Sequence, residues 1–342
     1  MTRSNSQPAS GMECNEAPSS PPCSGPGIPA PDPLRSGLGK RRLGRTGFEI
    51  SEIGFGAWAI GGNAHGNSYG PTDDAQSKRA LARALDLGCT FVDTADVYGH
   101  GHSESLVGEV VGNRDDIYVC TKVGGDFTSE PGRVMLNFAP TYLKKACEQS
   151  LKRLRREAVD VYLLHNPPPQ VMGDWRLFET LERLQQQGKI RSFGVSIHGI
   201  QEGLDTIRTG KPAVIQVALN LLHRAAEGPL LEAAAAADVG IIAREPLANG
   251  FLSGHFDGAH RWEHGDIRHT WPATFVQQRA DQVKRFKHLA REDRTLAQAA
   301  ILYPLTLPAV SVVIPGCKTV AQVEENFGAS RAPRLGPDEL RI

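Results

Sequence analysis

Asp93, Tyr98, Lys122 and His165 each stand at or just beyond the C-terminal end of a short apolar run. Phe91-Val92 leads into Asp93 and on through Thr94-Ala95-Asp96-Val97 to Tyr98; Val119-Cys120-Thr121 leads to Lys122; Val161 to Leu164 leads to His165. A phenol can hand a proton to a carbonyl oxygen once its pKa, ordinarily about 10, is brought toward neutrality. An ammonium beside it favours the phenolate, so Lys122 is expected to lower the Tyr98 pKa, with Asp93 pairing Lys122 and holding it in place. His165 is expected to orient the carbonyl or to help pass the proton. The set reads as a site that adds or removes a proton as a hydride moves.

Taken singly, three of these residues have ordinary explanations: a turn Asp, a rim Tyr, and a hydrogen-bonded His ahead of Pro167-Pro168-Pro169. Lys122 differs, because a Lys directly after a buried strand must be paired or carry a function. A Schiff-base nucleophile is the alternative chemistry for Lys122. A neighbouring Asp93 raises the lysine pKa and works against it.

Such convergence needs strand ends that meet on one face. Short apolar runs centred on Ile53, Val92, Val119, Tyr162, Gly194, Gln216, Ile242 and Val312 alternate with helical segments, the pattern of parallel strands joined by helices. Between Thr141 and Arg156, the residues Leu143, Ala146, Cys147, Ser150, Leu151 and Leu154 recur at helical spacing and mark one buried face. Gly88 and Gly188 fall where helix ends need positive φ. The expected fold is an α/β (β/α)8 TIM barrel with long loops at its C-terminal face, where such barrels carry their active sites. A doubly wound sheet is the alternative, but Gly54-Phe55-Gly56-Ala57-Trp58-Ala59 lacks the last glycine of its dinucleotide fingerprint. Residues 63–71 and about 250–279 read as the long loops.

The chain of 342 residues carries 38 Lys plus Arg against 38 Asp plus Glu, so no global field favours nucleic acid or an anionic membrane. No apolar run is long enough to span a bilayer and no secretory h-region opens the chain, so a cytoplasmic location is expected. The six cysteines show neither C-x-x-C pairs nor zinc spacing, and read as reduced thiols. His255, His260, His264 and His269 are irregularly spaced, and no metal is expected. Residues 1–39, rich in Pro, Ser and Gly, read as a disordered tail, and residues 40–342 as a single barrel domain.

From about Leu43 to Ser330 the sequence resembles the aldo-keto reductase family, particularly bacterial-type members with a Gly after Ile-Pro at the end of strand eight. The resemblance rests, in order, on Leu43-Gly44-Arg45-Thr46-Gly47 with Gly54-Phe55-Gly56, and on Phe91-Val92-Asp93-Thr94-Ala95 through Tyr98-Gly99 with Ser103-Glu104. It continues in Leu151-Lys152-Arg153-Leu154 through Asp160 to His165, and in Gly188-Lys189-Ile190-Arg191 through Gly194-Val195-Ser196. It implies that Asp93, Tyr98, Lys122 and His165 match the family's catalytic tetrad. It further implies that NADPH/NADP+, with NADH as the lesser option, exchanges hydride with an aldehyde or ketone.

By the same resemblance the nicotinamide lies near Ser196 and Gln216, and the pyrophosphate passes the turn that follows strand seven, with Arg244, Pro246, Leu247, Gly250, Leu252 and Gly254 contributing. Gly316, Lys318, Gln322, Glu325 and Asn326 match positions that hold the pyrophosphate, 2′-phosphate and adenine. Independently, Thr319 and Gln322 fit a capping box that opens a helix, a ready anion site. Two departures stand out. Ile197 replaces an Asn that commonly holds the carboxamide, and Arg244 replaces a ring-stacking Tyr, although a guanidinium can also stack. Trp58 and Tyr69 are expected to wall the substrate pocket; Trp262 and Trp271 either join them or pack within the loops. The expected partner is a small-molecule carbonyl compound, with monomer and homo-oligomer both open. The rival function is a weakly catalytic or non-catalytic NADP(H)-binding redox-sensing or regulatory subunit.

Overall fold

In the computed structural model, which describes residues 37–341 apart from Asn67 and Pro131, the short apolar runs become eight parallel strands. They are β1 (Phe55–Gly56), β2 (Phe91–Asp93), β3 (Tyr118–Val123), β4 (Val159–His165), β5 (Ile190–Ser196), β6 (Val214–Ala218), β7 (Gly240–Arg244) and β8 (Val310–Ile314). Each strand pairs with the next in sequence. The ring closes between its first and last members through parallel bridges from Ile53 to Val313 and from Gly56 to Gly316. The expected barrel is therefore the observed one. Residues 1–36, where most of the expected tail falls, lie outside the described residues; Leu38, just after them, is packed in the core.

Side-chain alternation along the strands sorts the core into two layers. Phe91, Cys120, Val161, Leu163, Val214, Ile242 and Val312 fill the barrel interior. Val92, Val119, Tyr162, Leu164, Ile215, Ile241 and Val313 pack outward against the helices. An antiparallel pair, Lys40–Arg42 with Glu49–Ser51, closes the end where the strands begin, and Leu43, Phe48 and Ile50 join the interior layer there.

The connecting helices are α1 (Asp74–Asp86), α2 (His102–Val110), α3 (Pro140–Leu154), α4 (Trp175–Gln186), α5 (Ile200–Arg208), α6 (Pro229–Ala236), α7 (Leu296–Leu305) and α8 (Val320–Gly328). The face expected for α3 is the buried one, and that helix ends at Arg155 in the left-handed conformation. Gly88 and Gly188 adopt φ of 95° and 73° just beyond α1 and α4. Residues 250–279 are not all loop: a further helix, Ala273–Lys284, occupies the end of that stretch. Pro272 stands at its N-cap, and Val276, Ala280 and Val283 form an apolar stripe at helical spacing. A bridge from Tyr69 to Asp266 ties the two long loops together over the mouth of the barrel. No helix among the described residues is long and apolar enough to cross a membrane.

Candidate active site

The ends of β2, β3 and β4 bring the four predicted residues together. Lys122 is fully buried, and its Nζ donates to Asp93 Oδ1 at 2.7 Å, to the Thr94 carbonyl at 2.7 Å and to Tyr98 Oη at 3.0 Å. All three ammonium donors are thus directed. The second Asp93 oxygen accepts from Gln216 Nε2 at 2.7 Å, so both sides of the carboxylate are held. The Tyr98 and His165 rings meet edge to face with centroids 5.8 Å apart.

The loop that carries Tyr98 is fixed by its own neighbours. Thr94 and Asp96 donate backbone N–H groups to the carbonyls of Cys120 and Lys122, which extends the β2–β3 pairing toward the tyrosine. Gly99 has φ of 59°, and a Cβ there would lie 2.0 Å from the Gly61 carbonyl oxygen, so no other residue fits. At the start of α2, Ser103 Oγ donates to the Ala57 carbonyl at 2.8 Å. Glu104 is buried and accepts from Thr121 Oγ1 at 2.5 Å and Arg153 Nε at 2.7 Å.

The electrostatics correct one expectation. Burial opposes the Lys122 ammonium, but the Asp93 and Tyr98 charges outweigh it and hold the lysine above its ordinary pKa. The Tyr98 hydroxyl, expected to be lowered, is raised: burial disfavours the phenolate by more than Lys122 favours it, and Asp93 adds to the rise. Tyr98 therefore keeps its proton at neutral pH. Burial, then the nearby Lys122 and Arg244 cations, pushes His165 well below its usual range and leaves it a neutral imidazole.

A cavity of about 650 Å³ opens over this group. Tyr98, Asp93 and His165 form its floor, with Ser196, Gln216 and Arg244 beside them. Pro246, Leu247 and Gly250 line one side; Gly316, Lys318, Gln322, Glu325 and Asn326 line the far end. Trp58 and Tyr69 form part of the wall and meet edge to face at 4.3 Å. The structure does not bring Leu252 or Gly254 to this wall; Leu252 is wholly buried in the core. Trp262 and Trp271 pack on each other and on Phe251 within the long loop.

Several polar groups of the wall are already engaged. Arg244 donates to the Ile197 carbonyl at 3.2 Å and pairs with Glu245, while its buried Nε has no partner. Lys318 Nζ donates to the carbonyls of Tyr69, Gly70 and Pro71, and the resulting burial lowers its pKa. Tyr69 Oη donates to Asn249 Oδ1 at 2.6 Å, and Arg268, paired with Asp266, lies over the Tyr69 ring at 4.3 Å. Thr319 caps α8 through Gln322 N–H as expected, but the Gln322 side chain accepts from Lys318 N–H rather than from the cap itself. Among the described residues no group of three or more His, Cys, Asp and Glu side chains could hold a metal ion.

Sequence reading missed Asn166, His198, Glu245, Asn249 and Arg268, all of which line the cavity. Asn166, His198 and Glu245 were signalled by their places just beyond the ends of β4, β5 and β7, and Asn249 by its place in the turn after β7; Arg268 depends on how the long loop folds back. A sequence model described as the Aldo/keto reductase family matches residues 52–342. The chain is 32% identical to Aldo-keto reductase YhdN of Bacillus subtilis over 82% of this chain and 85% of that one. It is 30% identical to Aldo-keto reductase yakc [NADP(+)] of Schizosaccharomyces pombe over 84% and 86%. Among solved structures, aldo-keto reductase AKR11C1 from Bacillus halodurans, in its holo form, superposes with a TM-score of 0.74 at 27% identity, covering 89% of this chain and 94% of that one. An aldo-keto reductase from Klebsiella pneumoniae in complex with NADPH superposes with a TM-score of 0.65 at 25% identity, covering 88% and 92%. The chain belongs to the aldo/keto reductase family.

Proposed function

We propose that the protein is an NADP(H)-dependent oxidoreductase that interconverts an aldehyde or ketone and the corresponding alcohol, with Tyr98 as general acid and base. The observation that carries this reading is the buried Lys122, directed at once to Asp93 and to the Tyr98 hydroxyl. When bound, the nicotinamide cofactor supplies or accepts the hydride. The cavity fits such a group: its size lies in the range of cofactor clefts, Arg244 Nε is a buried donor without a partner, and Lys318 stands beside the capped start of α8. Ser196, Gln216 and Arg244 would hold the nicotinamide end; Gly316, Lys318, Gln322, Glu325 and Asn326 would hold the adenosine phosphate end.

In the reductive direction a carbonyl oxygen gains negative charge, and the protonated Tyr98 hydroxyl is placed to donate to it. The phenolate left behind faces the Lys122 ammonium, which stabilises it at the floor of the cavity. Neutral His165 can donate a hydrogen bond to the same oxygen and fix its direction. The hydrogen-bonded chain from Asp93 through Lys122 to Tyr98 supports the catalytic reading over the regulatory one, since a barrel freed from chemistry has no need of a buried ion pair aimed at a phenol.

Titration with NADPH and with NADH, followed by tryptophan quenching, and then a panel of aldehydes, tests the proposal. Tight NADPH binding and its oxidation by aldehydes are expected. A protein that binds neither nucleotide would contradict it.

A further inference from the structure

Ile197 is 1% exposed and packs in the core between the barrel and α5, so its backbone carbonyl, not its side chain, faces the Arg244 guanidinium. The neighbouring strand supplies a different amide. Asn166, directly after His165, has φ of 53° and stands before Pro167. Left-handed backbone is costly for most residues and tolerated by Asn, and a following proline restricts that residue further. Its N–H donates to the Ser196 carbonyl at 2.9 Å, and its Oδ1 accepts from Ser196 Oγ at 3.1 Å. Asn166 Nδ2 makes no hydrogen bond among the described residues, and the residue lines the cavity beside Ser196 and Gln216.

The hydrogen-bond inventory of this wall is asymmetric. Gln216 uses Nε2 on Asp93, which leaves its Oε1 as an acceptor. Ser196 gives its hydroxyl proton to Asn166, which leaves its oxygen lone pairs. Two acceptors and one donor, Asn166 Nδ2, thus surround the same corner. A primary carboxamide presents the complement: an NH2 for the acceptors and one carbonyl oxygen for the donor.

On the reading that the cavity takes a nicotinamide cofactor, we infer that Asn166 is the residue that holds the carboxamide oxygen, through Nδ2, in the role that Ile197 cannot fill. The strained turn at Asn166 is then the device that aims the amide. Ser196 positions Asn166 as well as accepting from the carboxamide.

The test measures Kd by tryptophan quenching in the full chain, for NADPH and for its thionicotinamide analogue, whose sulfur is a poor acceptor. The unaltered chain is expected to bind the analogue about tenfold more weakly than NADPH, the effect of one lost hydrogen bond. Asn166→Gly, which tolerates the backbone, is expected to bind NADPH about tenfold more weakly and to treat the two nucleotides alike. Asn166→Asp keeps the left-handed tolerance and the acceptor for Ser196 while removing the donor, so it should lose the same discrimination even if the glycine variant folds poorly. Discrimination retained in both variants, or absent from the unaltered chain, would overturn the role of Asn166 alone. Failure of the unaltered chain to bind either nucleotide would overturn the cofactor reading together with it.

Discussion

The Lys122 ammonium is the residue on which the site turns, because a fully buried cation persists only where its donors and its charge are both answered. Lys122→Met should remove turnover and leave Asp93 buried with Gln216 as its remaining side-chain partner, at a cost of about 3–5 kcal/mol in urea unfolding. Adding Asp93→Asn to that variant should restore part of the stability and none of the activity. Equal stability of Lys122→Met and the unaltered chain would mean that the pair is not held as described. The pH profile follows from the same group. Burial holds Tyr98 above its ordinary value, so the protonated donor should persist and carbonyl reduction should show no alkaline decline below pH of about 10. Burial holds His165 below its range, so no break should appear near pH of about 6.5. An alkaline limb centred near neutrality would show that Lys122 overcomes burial during turnover.

Among the elements, α8 joins the strand-end chemistry to the far end of the cavity. Thr319 caps it, and Thr319→Ala should cost about 1 kcal/mol in thermal or urea unfolding and weaken NADPH binding by loosening Lys318 and Gln322, while leaving the Tyr98 region unchanged. Unaltered NADPH affinity in that variant would separate the cap from the nucleotide. The strands and α3 were legible in the sequence because their apolar periods are strong and their ends carry polar residues of distinct type. The helix at Ala273–Lys284 was not, since its apolar stripe of Val276, Ala280 and Val283 is weak and follows a loop rich in His and Gly. The tetrad was legible for the same reason as the strands: position at a strand end fixes direction in a barrel. Its electrostatics were not. Whether Lys122 or burial sets the Tyr98 pKa is a balance between two opposing effects of the fold, and no spacing in the sequence encodes their sizes. Asn166 was overlooked because its left-handed turn is a property of the backbone, seen only once β4 and β5 are paired.

At the scale of the molecule, the barrel closes around a core in which every described cysteine is buried. Burial raises the Cys89, Cys147 and Cys317 thiols to about 12, and Cys120 well above its ordinary value. In a chain carrying Cys14→Ser and Cys23→Ser, Ellman's reagent should therefore find no reactive thiol in the native state and four after unfolding. Reaction of any of them at the rate of a free thiol under native conditions would show a local opening of the barrel that the packing does not suggest. The floor of antiparallel strands, the eight-strand ring and the two long loops joined at Tyr69 and Asp266 together hold a phenol, an ammonium and an imidazole beneath a cavity of about 650 Å³. The most direct test is a single-turnover experiment with NADPH and an aldehyde on the unaltered chain and on Tyr98→Phe, with nucleotide affinity measured in the same samples. Tyr98→Phe should bind NADPH as the unaltered chain does and oxidise it more slowly by a factor of about 100 or more; a variant that turns over normally, or that loses nucleotide binding instead, would show that Tyr98 is not the proton donor.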